Sequence, residues 1–112
     1  MHISELQREA WQTAEVKGHH AGLAHLDRRS QALVRLALIH TEVSEATQEV
    51  KRYGVDDLLV LGRIGNELAD ILIRTAELAE TLGVDLQAHT KGVLYLNKQR
   101  PYGYGTPQEV FP

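Results

Sequence analysis

Residues 64–82 read Ile64-Gly65-Asn66-Glu67-Leu68-Ala69-Asp70-Ile71-Leu72-Ile73-Arg74-Thr75-Ala76-Glu77-Leu78-Ala79-Glu80-Thr81-Leu82, a stretch whose apolar residues recur with helical period. At about 100° per residue, with Glu67 set at zero, Ile64, Leu68, Ile71, Thr75, Leu78 and Leu82 fall between about 20° and 100°. A stripe of that width predicts an amphipathic helix buried along one side. Ala69, Ile73 and Ala76 fall near 180° to 240° on the same wheel, so the helix is apolar on a second side too. Upstream, with Glu42 set at zero, Ile39, Val43, Ala46 and Val50 span about 40° to 100°. Two long helices packed stripe to stripe form the predicted centre of the domain.

The flanking residues supply starts and stops. Ile3, Leu6, Ala10 and Ala14 mark a first helix ending near Lys17-Gly18. A connector rich in His and Gly follows, over about 18–28. The second helix runs from about Arg29 to Arg52, with Asp27 or Ser30 as N-cap and Gly54 as its stop. Asp56 or Asp57 caps the third, closed by Gly83 after Leu82. Gly62 and Gly65 each cost about 1 kcal/mol inside a helix, which places its regular part from Arg63 onward. Leu58-Leu59-Val60-Leu61 also suits a short strand, for which no partner strand is visible. Asp85 caps a fourth helix to about Asn97, and the chain from Arg100 reads as irregular. All three prolines, Pro101, Pro107 and Pro112, lie in that last stretch. The expected fold is all-α, a four-helix, bundle-like subunit.

Composition narrows the function classes. A chain of 112 residues is one domain. Its formal charge of -3 argues against a nucleic-acid partner, which Lys and Arg would have to neutralise. Without cysteine there is no disulfide framework and no thiolate metal site. No apolar run approaches the roughly 20 residues of a membrane helix. The N-terminus Met1-His2-Ile3-Ser4-Glu5 lacks the basic segment and apolar core of a signal peptide. The expectation is a soluble cytoplasmic domain with no membrane partner.

Chemistry enters through two acidic pairs, Glu42-Val43-Ser44-Glu45 and Glu67-Leu68-Ala69-Asp70. Glu45 and Asp70 both fall about 60° from the first acid of their pair, on the same flank of their helix's apolar stripe. Packing the helices together brings the pairs to the edge of one seam. Four carboxylates there repel one another unless a cation sits among them, and all-oxygen anionic sets suit Mg²⁺ or Mn²⁺. The bland alternative is a solvated helix surface, with Glu67 paired to Arg63 and Asp70 to Arg74 one turn away. Glu49, at about -20°, lies on the same flank and is a candidate to orient a ligand.

These residues resemble the MazG-like, all-α nucleoside triphosphate pyrophosphohydrolases. Leu38-Ile39-His40-Thr41-Glu42-Val43-Ser44-Glu45-Ala46 is similar to that family's "ALIHSEVSEA" segment. Glu67 through Arg74 is similar to "ELADVIIR", Leu82-Gly83-Val84-Asp85-Leu86 to "LGIDL", and Asn97, Arg100, Pro101 and Tyr102 to the closing "N-x-x-R-P-Y". The resemblance runs from Leu6 to about Gly105, making residues 1–105 the domain and 106–112 a tail. Two positions depart from the pattern: Val93 replaces the usual Lys, and Tyr104 the usual His before Gly105. Phosphate or base contacts carried by those two side chains are therefore open here. The resemblance implies Mg²⁺, with Mn²⁺ as a substitute, held by Glu42, Glu45, Glu67 and Asp70. It implies hydrolysis of a nucleoside triphosphate between its α- and β-phosphates, with water as nucleophile.

Other residues are read more evenly. Asn97, Lys98 and Arg100 are candidate phosphate ligands at the end of the fourth helix, joined by Tyr102 and by Lys17 before the connector. The same cations also suit a solvated helix terminus. His19, His20 and His25 lack helical ligand spacing, so zinc is not expected. His40 points about 160° away from Glu42. Trp11 is a core or interface residue before it is a base-stacking one. Alternatives are a phosphoribosyl-ATP pyrophosphohydrolase on the same scaffold, or a non-catalytic helical interaction module. A di-iron bundle is disfavoured because no Glu has His three residues later. The second apolar side of the third helix, in so short a chain, predicts at least a homodimer with the nucleotide site near the subunit boundary, and the family resemblance implies a homodimer or homotetramer.

Overall fold

The computed structural model describes residues 1–101, and over them the chain is all-helical. The elements are α1 (Ile3–Val16), α2 (His19–Leu23), α3 (Arg28–Tyr53), α4 (Leu58–Leu82) and α5 (Leu86–Gln99). Tyr102, Tyr104 and the 105/106 boundary lie outside the described residues.

Side-chain caps and glycines set the ends. The Asp27 carboxylate accepts from the Ser30 N–H at 2.7 Å to start α3, which holds its carboxyl below the ordinary range. Asp57 accepts from the Leu59 N–H at 2.8 Å and the Val60 N–H at 3.3 Å at the head of α4. Asp85 does the same for α5, accepting from the Ala88 N–H at 3.0 Å. Gly54 and Gly83 follow α3 and α4 with φ of 75° and 72°, a region that favours glycine.

Three local expectations change. The connector is not all loop, since α2 forms within it. Its five residues carry no stripe to predict it, and its anchor is tertiary: the His20 ring stacks on Trp11 with centroids 4.4 Å apart. Residues 58–61 are helical rather than a strand, because the Asp57 cap starts the helix there and Val60 is buried. Gly62 and Gly65 do not delay α4, and a Cβ at either would meet nothing within 4 Å.

Helix α4 is the central element, packed along α3 on one side and α1 on another, while α5 rests on α1. The buried apolar residues are small: Ala10 and Ala14 of α1, and Val60, Ala76, Leu78 and Ala79 of α4. Ala76, expected on the second apolar side, is 0 % exposed. Helix α1 thus covers part of the face that the sequence assigned to another subunit. Leu68 departs in the other direction, being 58 % exposed although its wheel angle put it on the inner stripe. Apolar surface also remains on α5, where Val93, Leu94, Tyr95 and Leu96 are all more than half exposed.

Gln7 ties α1 to the turn between α4 and α5. Its Nε2 donates to the Val84 carbonyl at 2.8 Å and its Oε1 accepts from the Leu86 N–H at 3.0 Å. That turn fixes where α5 leaves α4.

Candidate metal centre

The short connection 54–57 returns the chain so that α4 lies beside α3, and each helix contributes acids to the seam. Carboxylate oxygens of Glu42, Glu67 and Asp70 all lie within 4.8 Å of one another. Glu45 adjoins Glu67, and the two line an open groove of about 380 Å³ with Thr41, Ser44, Gln48, Glu49 and Arg52. The i, i+3 spacing puts both acids of a pair on one flank, and stripe-to-stripe packing turns the flanks toward each other.

Glu67 is the most constrained of the four. Its Oε2 is buried and has no hydrogen-bond partner among the described residues. Burial, then the Glu45 and Glu42 charges, with Asp70 a smaller contributor, push its carboxyl above the ordinary carboxylate range. An unpartnered buried carboxylate oxygen facing other carboxylates is costly unless a cation satisfies it. The set is all oxygen, anionic and partly shielded, which fits a hard divalent ion such as Mg²⁺ or Mn²⁺.

The raised value has a consequence for the metal-free protein. A carboxyl whose folded pKa exceeds its unfolded one contributes stability below the unfolded value, and loses it as pH rises through the folded value. In chelator, the melting temperature of wild type relative to Glu67→Gln should therefore fall as pH climbs out of the acid range. Glu67→Gln cannot ionise, so it should melt above wild type at neutral pH. Thermal melts in EDTA across pH check this, and a variant no more stable than wild type at pH 7 contradicts it.

The arginines behave differently from the surface reading. Arg63 does not pair with Glu67 one turn away; its Nε donates across to Glu49 Oε1 at 2.5 Å, and its guanidinium lies 5.2 Å from the Tyr53 ring centroid. Arg74 does not pair with Asp70 but reaches Glu42 Oε1 from Nε at 2.8 Å. Glu49, which lines the groove, is thereby engaged by Arg63. Both links cross the seam because the packing of α3 against α4 brings the opposite helix within reach.

Lys17, Asn97, Lys98 and Arg100 are exposed and do not line the acidic groove. They lie on α5 and at its end, or at the end of α1. His40 is exposed, and the His20 ring stacks on Trp11.

One buried polar chain went unrecognised in the sequence. Arg35 of α3 donates to Glu77 Oε1 of α4 at 2.5 Å and to His20 Nδ1 at 2.8 Å, with Arg35 only 5 % exposed. Arginine only donates, so Nδ1 is the acceptor and Nε2 carries the proton it gives to the Trp11 carbonyl at 2.9 Å. The available signal was the wheel position of Arg35, about 20° from Glu42 and close to the inner stripe. A cation there calls for a buried partner.

No family model matches the chain, and no curated protein or solved structure matches it.

Proposed function

We propose that the chain is a divalent-metal-dependent nucleoside triphosphate pyrophosphohydrolase of the MazG-like, all-α type. The observation that carries this reading is the convergence of Glu42, Glu67 and Asp70 from two helices around the unpartnered Glu67 Oε2. These three, with Glu45 beside them, would hold Mg²⁺ or Mn²⁺, which neutralises phosphate charge and polarises the phosphoryl group. Glu45 and Glu67 share the groove that would receive the phosphate chain, and Arg52 in the same lining offers it a cation. Water attacks the α-phosphorus, the bond to the bridging oxygen breaks, and nucleoside monophosphate and pyrophosphate leave. Removal of unwanted nucleotides from a cytoplasmic pool is the role that suits such chemistry.

The test is pyrophosphate release from a panel of ribo- and deoxynucleoside triphosphates, with phosphoribosyl-ATP included, in Mg²⁺ and in EDTA. Metal-dependent release from a nucleoside triphosphate supports the reading. Release from phosphoribosyl-ATP alone moves the chain to the histidine-pathway enzyme, and no release from any member leaves a non-catalytic helical module.

The bundle is completed between subunits. Small buried residues and the exposed Ile73, Leu68, Leu72 and α5 apolar groups favour a homodimer or homotetramer. Such an assembly could bring Arg100 of one chain near the acids of another. Sedimentation at micromolar protein should give at least a dimer mass, and Ile73→Asp should shift it toward monomer and lower turnover. A fully active wild-type monomer contradicts this.

A further inference from the structure

Arg74 is the one cation bonded to the three-acid set among the described residues. It spends a single N–H on Glu42, whose side chain is 12 % exposed, while its own side chain is 32 % exposed and open to solvent. Guanidinium carries five donors in a planar fork, remains charged at every accessible pH and matches phosphate oxygens well. Its terminal nitrogens have no hydrogen-bond partner among the described residues. A cation resting on Glu42 stands in part for the divalent ion that the same carboxylate would bind. Both cannot draw fully on that carboxylate.

We infer that Arg74 is an exchangeable counter-cation, which holds Glu42 while the acids are metal-free and turns its fork to a substrate phosphate once a divalent ion takes them. This rests on the metal-centre reading above. The exchange makes two ligands help each other. A divalent ion alone must displace Arg74 from Glu42, whereas an ion arriving with a phosphate chain gives Arg74 a replacement anion. Metal and polyphosphate therefore bind with positive coupling, and the coupling passes through Arg74.

Calorimetry on the full-length chain tests this without turnover, using Mn²⁺ alone and then inorganic pyrophosphate at saturating Mn²⁺. Arg74→Gln removes the competitor, so Mn²⁺ alone should bind about tenfold more tightly than to wild type. The same variant loses the phosphate contact, so pyrophosphate should bind about tenfold more weakly. Arg74→Lys keeps the charge but not the fork, and should fall between wild type and Arg74→Gln in both titrations. A side chain that only braces α3 against α4 would weaken both ligands together, and that result, or an unchanged Mn²⁺ affinity, overturns the inference while leaving the metal centre standing. Absence of any Mn²⁺ binding to wild type overturns the centre and the inference with it.

Discussion

Glu42→Gln, Glu67→Gln and Asp70→Asn should each lower turnover by ~100-fold or more while leaving helix content unchanged. Loss of a group that merely orients a metal ligand typically costs about 10–100-fold, and removing the ligand's charge is the larger insult. The amide keeps the shape of the carboxylate, so the packing of α3 on α4 survives. Glu45→Gln belongs with the three, since Glu45 adjoins Glu67 and lines the same groove. Glu49→Gln, in the same groove lining but outside the three-acid cluster, should have a smaller effect. Glu49 is engaged by the half-exposed Arg63, so its loss breaks a surface ion pair worth at most about 1 kcal/mol. Pyrophosphate release with circular dichroism on each variant measures both halves of this expectation. Full activity in two or more of the four acid variants would show that the carboxylates are surface decoration.

The second large effect is on stability. Arg35→Met or Glu77→Leu alone leaves a charge buried without its partner, which costs about 3–5 kcal/mol. That is a large share of the 5–15 kcal/mol typical of a domain. Loss of Arg35 also deprives His20 Nδ1 of its donor, loosening α2 from the α1–α3 corner. The double variant Arg35→Met/Glu77→Leu buries apolar groups of similar size and should recover most of the loss. Urea unfolding followed by Trp11 fluorescence is well suited to this, because Trp11 is the only tryptophan and stacks on His20. Single variants as stable as wild type contradict a buried, coupled pair.

What the sequence disclosed and what it hid divide along a physical line. Local rules carried the long elements: Asp27, Asp57 and Asp85 cap α3, α4 and α5 because a short acceptor meets free N–H groups within one turn, and Gly54 and Gly83 stop helices because they adopt positive φ. The meeting of the acids was legible because it follows from two wheel angles and one packing contact. Partner choice was not legible. Arg63 and Arg74 each had an acid one turn away, and crossed to α3 because the seam brings a second acid as close. The Arg35–Glu77 pair joins residues 42 apart in sequence, beyond any periodic pattern. Helix α2 was missed because its five residues owe their shape to Trp11 and Arg35 rather than to their own propensities. Leu68 and Ala76 show the limit of wheel angles, which give a direction but not what lies along it: α1 covers Ala76, and nothing in the described subunit covers Leu68.

In the proposed reaction the acids of α3 and α4 serve cleavage between the α- and β-phosphates. Phosphorus NMR of the products, from the nucleoside triphosphate turned over fastest in Mg²⁺, distinguishes this cleavage from any other. Pyrophosphate and nucleoside monophosphate should appear in equal amounts, with neither formed in EDTA and at least ~100-fold slower formation by Glu67→Gln. Orthophosphate and nucleoside diphosphate as the products, or an unchanged triphosphate spectrum across the whole panel, would contradict it.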